Sequence, residues 1–248
     1  MIYTKLTITS SSKKPHNFIG SKVRGTLGYA LKEEVCVNPT FKCEGCFAAD
    51  DCVFYKFYEQ KNRVHPYRLD FDLEDEAFYF SLLLFGDVQK DAGAVKKALL
   101  QSLQEFEDVE CFEEFMTFES TPCKSVVKLE FITPLRIKKE NKFVREDIDL
   151  LDILISINKR QYELSGEEFQ RLNVSKEYKI ISKHLYYQEL TRKSNVQKTK
   201  MNFGGLMGEM ILGNIDEQTY KLLKLGEILG CGKQTVFGLG KIKIEEIA

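Results

Sequence analysis

GCGKQTVFGLG, residues Gly230–Gly240, holds four glycines, one lysine and one threonine in eleven positions. Such a run has the composition of a phosphate-binding loop, because glycine tolerates positive φ and lets another chain approach closely. Two familiar nucleotide patterns fail. A Walker loop needs G-x-x-x-x-G-K-[ST], but Glu227 stands five before Gly232 and Gln234 follows Lys233. A dinucleotide fingerprint needs a third glycine where Thr235 stands. Both also need a helix after the glycines, whereas KIKIEEIA (241–248) alternates like a strand. The run is preceded by DEQTYKLLKLGEIL (216–229), which has helical spacing. It is thus a helix-to-strand loop, of the kind whose successive N–H groups can surround an anion.

Working back from that loop, the two halves of the chain read alike. In the second half, SVVKLEFITPLRIK (125–138) predicts a strand with a Thr-Pro break, and FVREDIDLLDILISINKRQYEL (143–164) a long helix. YKIISKHLYYQEL (178–190) predicts a strand, and KMNFGGLMGEMILGNI (200–215) a glycine-interrupted hairpin. The helix 216–229 and the strand VFGLGKIKI (236–244) close the half. In the first half, MIYTKLTITS (1–10) predicts a strand, and SKVRGTLGYALKEEV (21–35) an amphipathic helix. A short aromatic helix, VFYKFYEQ (53–60), comes next. The strands YRLDFDL (67–73) and EAFYFSLLLFG (76–86), the helix DAGAVKKALLQSLQEF (91–106) and the strand FEEFMTFES (112–120) follow. Each half is β-α-β-β-α-β, so the expected class is α+β, two tandem ferredoxin-like (RRM-like) domains over 1–121 and 122–248.

Charge is divided unevenly between these halves. Residues 1–120 hold 14 Lys/Arg against 20 Asp/Glu, and residues 121–248 hold 22 against 17. Lys183–Lys200 alone carries five Lys/Arg and His184 against one Glu. A polyanion would meet that local patch rather than the net charge of −1, although a solvated basic face fits it equally. The opening residues show no signal-peptide core, and no apolar run is long enough to span a bilayer, so a cytoplasmic, membrane-free protein is expected. In such a compartment the seven cysteines argue against a disulfide framework. Cys111, Cys123 and Cys231 are scattered and read as small buried residues. Cys36, Cys43, Cys46 and Cys52 cluster in an insertion (36–52) around one C-x-x-C, a ligand set suited to structural zinc or else to free, half-buried thiols.

Several stretches, taken in order, resemble one family. LKLGEILGCGKQTVFGLGKIKI (223–244) is similar to the C-terminal glycine-rich signature of the RAMP superfamily. More narrowly it resembles the CRISPR-associated pre-crRNA-processing endoribonucleases, the sixth Cas family. KVRGTLGYAL (22–31), CEGC (43–46) with CVFYKFYE (52–59), VHPYRLD (64–70) and LEFITPLRIKK (129–139) look like further motifs of that family, as does LTRKSNVQKTKMNFGGLMGEM (190–210). The resemblance implies cleavage of CRISPR repeat RNA in precursor transcripts without a catalytic metal. The ribose 2′-OH attacks the adjacent phosphorus, leaving a 2′,3′-cyclic phosphate and a 5′-OH. It also implies, as an alternative, a non-catalytic RAMP subunit that binds crRNA inside a CRISPR effector complex.

That reaction needs a base for the 2′-OH, a cation for the phosphorane and an acid for the leaving oxygen. Family members often carry a histidine in the first helix where this chain has Tyr29, and some carry one where it has Gly230-Cys231. His16, in the loop before that helix, is the best-placed histidine, or a loop residue without a role. Tyr29 and Lys32, three apart on the helix, are the substitute pair, unless Tyr29 packs on the sheet. His65, beside Pro66, reads as structural, and His184 as an RNA contact or a strand residue. Candidate RNA ligands are Arg24, Arg192, Ser194, Lys198, Lys200 and Lys233, with Gly230, Gly232, Gly238 and Gly240 as the loop's backbone track.

Overall fold

The computed structural model describes residues 1–13, 19–73, 77–119, 121–193 and 200–247. It divides into two compact units, Met1–Thr117 with Glu163–Gly166, and Phe118–Tyr162 with Glu167–Ala248. None of its described helices is long and apolar enough to cross a membrane.

The first unit runs β1 (Ile2–Lys13), α1 (Ile19–Val35), β2 (Tyr67–Asp70), β3 (Ala77–Phe85), α2 (Ala92–Ser102), β4 (Glu110–Thr117). Its sheet order is β2-β3-β1-β4, antiparallel throughout. Each helix therefore carries the chain over one intervening strand, which is the split β-α-β arrangement of a ferredoxin-like fold. Leu6 and Ile8 of β1 stand opposite Leu82 and Phe80 of β3, and all four are buried. Val23, Leu27, Ala30 and Leu31 form the buried stripe of α1, and Val95, Ala98 and Leu99 that of α2. The aromatic segment after the Cys-rich insertion ends in a π-helical turn, Tyr55–Glu59. It buries Phe57, whose ring stacks 4.1 Å from that of Tyr67.

The second unit runs β5 (Val126–Leu135), β6 (Lys138–Lys139), β7 (Lys142–Phe143), α3 (Leu150–Ser165) and β8 (Lys179–Gln188). It continues with β9 (Thr191–Lys193), β10 (Lys200–Asn202), β11 (Gly205–Gly213), α4 (Glu217–Leu229) and β12 (Ile242–Glu246). Its main sheet has the order β12-β5-β11-β8, the same topology again.

Four expected features differ. The helix predicted from Phe143 begins at Leu150. Ahead of it, Glu140 and Asn141 take left-handed φ values of 49° and 63° and turn β6 onto β7. The helix then starts at an Asp149 cap, whose Oδ1 accepts the Leu151 N–H at 2.9 Å. The stretch 200–215 is not a hairpin by itself: β10 pairs with β9, and β11 is a long central strand pairing with both β5 and β8. The last strand is shorter than expected, because Thr235–Phe237 forms a 3-10 turn. No break occurs in β5, which passes through Thr133 and Pro134.

Candidate nucleic-acid interface

The glycine-rich loop leaves α4 at Gly230 and folds back on itself before β12. Positive φ values recur at Gly230, Gly232, Gln234, Gly238 and Gly240. At Gly240 a Cβ would overlap the Cys231 carbonyl, and at Gly232 it would come 2.5 Å from the Arg136 carbonyl oxygen. At these two positions glycine is required because backbone passes too close for any side chain.

Their N–H groups are committed inside the fold. Gly230 donates to Gly226, Cys231 to Gly240, Lys233 to Arg136, Gly238 to Thr235 and Gly240 to Pro134, over 2.8–3.1 Å. Gly232 donates to the Ser156 hydroxyl at 2.8 Å. The expected track of amides at Gly230, Gly232, Gly238 and Gly240 is thereby corrected: these glycines shape the loop, and their donors face protein. Lys233 is the exposed residue of the run, and no ion pair of its ammonium occurs among the described residues.

Thr133 to Arg136, the end of β5 and the residue after it, staple this loop. The Thr133 hydroxyl donates to the Gly238 carbonyl at 2.8 Å and accepts the Lys241 N–H at 2.8 Å. Beside it rises the β9–β10 ladder, in which Lys193 stands opposite Lys200 and Arg192 opposite Met201. Three cationic positions, Arg192, Lys193 and Lys200, thus share one short ladder next to the loop's end of the sheet. Ser194 and Lys198 lie outside the described residues.

The first-helix candidates separate. Arg24 does not turn outward to a phosphate as expected. Its guanidinium lies 4.7 Å from the centre of the Tyr58 ring, and the Tyr58 hydroxyl donates to its carbonyl at 2.8 Å. Burial drives the Tyr58 phenol well above its ordinary pKa, so the hydroxyl stays a neutral donor. Tyr29 is 70% exposed, which excludes packing on the sheet. Lys32 lies with its ammonium 5.0 Å from the centre of the Phe54 ring. The Tyr29 hydroxyl has no hydrogen-bond partner among the described residues, so the two are not assembled as a pair. His16 lies outside the described residues. His65 is half-buried with Nδ1 3.3 Å from the Lys56 carbonyl, a structural placement. His184 is exposed on β8, opposite Glu209.

Cys36, Cys43, Cys46 and Cys52 line one cavity of about 230 Å³ with Lys42 and Phe54. All seven cysteines are free thiols. Among the described residues no three His, Cys, Asp or Glu side chains are positioned to hold a metal together. Cys231 is buried as expected, and burial pushes its thiol up to about 12. Cys111 and Cys123 are only half-buried.

In the sequence, Thr133 and Arg136 stand out only as members of the strand motif LEFITPLRIKK. The signal was there: an arginine and a threonine flank Pro134 at the end of a strand whose neighbours are apolar.

Residues 129–242 match the family model described as CRISPR-associated endoribonuclease Cas6. Residues 3–118 match a second model, described as an N-terminal domain. An uncharacterized protein of Archaeoglobus fulgidus is 24% identical over 268 residues, 92% of this chain and 91% of that protein. A solved Cas6 product complex has a TM-score of 0.60 at 14% identity and covers 99% of each chain. A second Cas6 product complex scores 0.56 at 16% identity, covering 99% of this chain and 100% of that one. Thermus thermophilus Cas6 scores 0.55 at 12% identity, with 98% of each chain covered. At such identities these likenesses establish the fold, tandem and ferredoxin-like.

Proposed function

We propose that this chain, whose residues 129–242 match the model of the CRISPR-associated endoribonuclease Cas6 family, cuts CRISPR repeat RNA in precursor transcripts to release crRNA. The observation that carries the reading is that match, which takes in the stapled glycine loop, β9–β10 and Arg136 together. Lys233 and the cationic positions of β9 and β10 supply phosphate contacts, which position the strand without reading its bases. Cleavage proceeds by attack of the 2′-OH on the adjacent phosphorus, with loss of the 5′-oxygen and no catalytic metal. His16 is the favoured proton carrier, with Tyr29 and Lys32 as the alternative on α1.

Incubating the pure chain with end-labelled repeat RNA in EDTA tests this. A single cut leaving a cyclic phosphate supports it, and no cut in EDTA with a cut in Mg²⁺ overturns the metal-free mechanism. A second reading, a non-catalytic RAMP subunit that holds crRNA within an effector complex, is favoured by one observation. Tyr29 stands where relatives often place histidine, and its hydroxyl meets no activating group among the described residues. Tight binding without any cut would select it.

A structural zinc on Cys36, Cys43, Cys46 and Cys52 belongs to the same proposal. Its support is that all four thiols line one cavity in a 17-residue insertion that contains no strand and no regular α-helix. Closing them on one ion requires side-chain rotation from the placement described.

A further inference from the structure

Arg136 follows the end of β5 and is 5% exposed. Its two ends serve two different elements. The carbonyl accepts the Lys233 N–H at 2.8 Å, inside the glycine loop. The guanidinium reaches the other way, where Nη1 donates to the Gly204 carbonyl between β10 and β11. Its Cζ lies 4.1 Å from the centre of the Phe143 ring and 5.9 Å from that of Phe203. The Phe203 ring in turn lies 4.9 Å from Phe237, which closes the 3-10 turn of the glycine loop. The fit is close on both sides: a Cβ on Gly205 would come 3.0 Å from Arg136 Cγ, and one on Gly232 2.5 Å from its carbonyl oxygen.

Burying a guanidinium is costly, and burial does lower the pKa of Arg136. Among the described residues no carboxylate forms an ion pair with it, and its Nε is buried without a partner. An apolar side chain would fill this space at less cost if packing were all the site required. What arginine supplies is a flat cation that lies against aromatic faces while one edge donates to a carbonyl. A lysine ammonium lacks that shape.

We infer that Arg136 is a positioning residue that couples the glycine loop to the β9–β10 ladder. It makes Lys233 and the cationic positions Arg192, Lys193 and Lys200 one phosphate-binding surface. The role as a surface for RNA rests on the reading proposed above; the coupling itself does not. Arg136 is too buried to meet RNA directly.

The test uses the full chain carrying Arg136→Met, with Phe143→Leu as a milder variant that keeps the cation and removes its principal ring. Amide hydrogen exchange is followed without RNA, at the Lys233 N–H and at the Phe203 N–H, which donates to Leu190 at 2.6 Å. In Arg136→Met both amides should exchange faster, each by about tenfold or more, and Phe143→Leu should move both in the same direction by less. Affinity for repeat RNA should fall by about tenfold, and its salt slope by more than one unit, because contacts on both elements are lost together. Faster exchange on only one element overturns the coupling. A slope change of about one unit with unchanged exchange would mean a direct phosphate contact instead. A lower melting temperature with unaltered RNA affinity would reduce Arg136 to a packing role. If the unaltered chain binds no repeat RNA, the RNA reading fails, while the exchange result still decides the coupling.

Discussion

At Gly240, which has φ of 71°, any side chain would strike the carbonyl of Cys231, the residue whose N–H donates to the Gly240 carbonyl at 2.8 Å. Gly240→Ala should therefore cost roughly 2–4 kcal/mol, read as a lower urea midpoint at unchanged m-value. Lys233 is the opposite case, an exposed side chain whose removal disturbs no packing. Lys233→Ala should leave stability within about 0.5 kcal/mol, yet weaken repeat-RNA binding and lower its salt slope by about one unit. An unaltered slope would show that Lys233 meets no phosphate. For catalysis, His16→Ala should slow single-turnover cleavage by roughly 10²-fold. An unchanged rate would transfer the role to Tyr29 and Lys32. Residue types were thus readable from the chain, but their direction was not. Nothing local distinguishes Arg24, turned onto Tyr58, from Lys233, turned to solvent.

At the scale of elements, α3 shows how a helix start is decided by a cap rather than by periodicity. Leu150, Ile153, Leu154 and Ile157 are buried at helical spacing, so the body of the helix is legible in the sequence. Its start is set by Asp149, which accepts the Leu151 N–H and, at 2.6 Å, the Tyr178 hydroxyl. Those bonds, the Tyr178 hydroxyl first, hold the Asp149 carboxyl below its ordinary range. Its contribution to stability is therefore present above the unfolded carboxylate pKa of about 4 and is lost as pH falls through the folded value. The same bond, after burial, raises the Tyr178 phenol to about 12. That contribution is complete below the unfolded phenol value of about 10 and disappears as pH rises from there towards the folded value. Asp149→Ala should cost about 1 kcal/mol at neutral pH and flatten the acid limb of a stability–pH curve. An unchanged acid limb would show that the cap carries no linked proton.

Over the whole molecule, the excess of acid lies in residues 1–120 and the excess of base in residues 121–248. The glycine loop and the β9–β10 ladder both fall in the basic part. The Cys-rich insertion falls in the acidic part, where it exposes Phe41 and Phe47 and builds little core of its own. One equivalent of zinc per purified chain is expected, lost when Cys43 and Cys46 are both changed to serine; under half an equivalent in the unaltered chain would count against the site. The β-α-β-β-α-β order of both halves, and with it the ferredoxin-like fold, follows from the sequence by itself. Periods of two and 3.6 residues and the position of each turn are local properties. Whether the glycine-loop amides face an anion or the protein was decided only in the tertiary structure. Their partners, Ser156, Pro134 and Arg136, come from elsewhere in the chain. The place of Arg136 was settled the same way, through Gly204 and Phe203, 68 residues from its own position in the case of Gly204. A donor's direction depends on which acceptor folding brings to it, and no periodicity encodes an acceptor so distant along the chain.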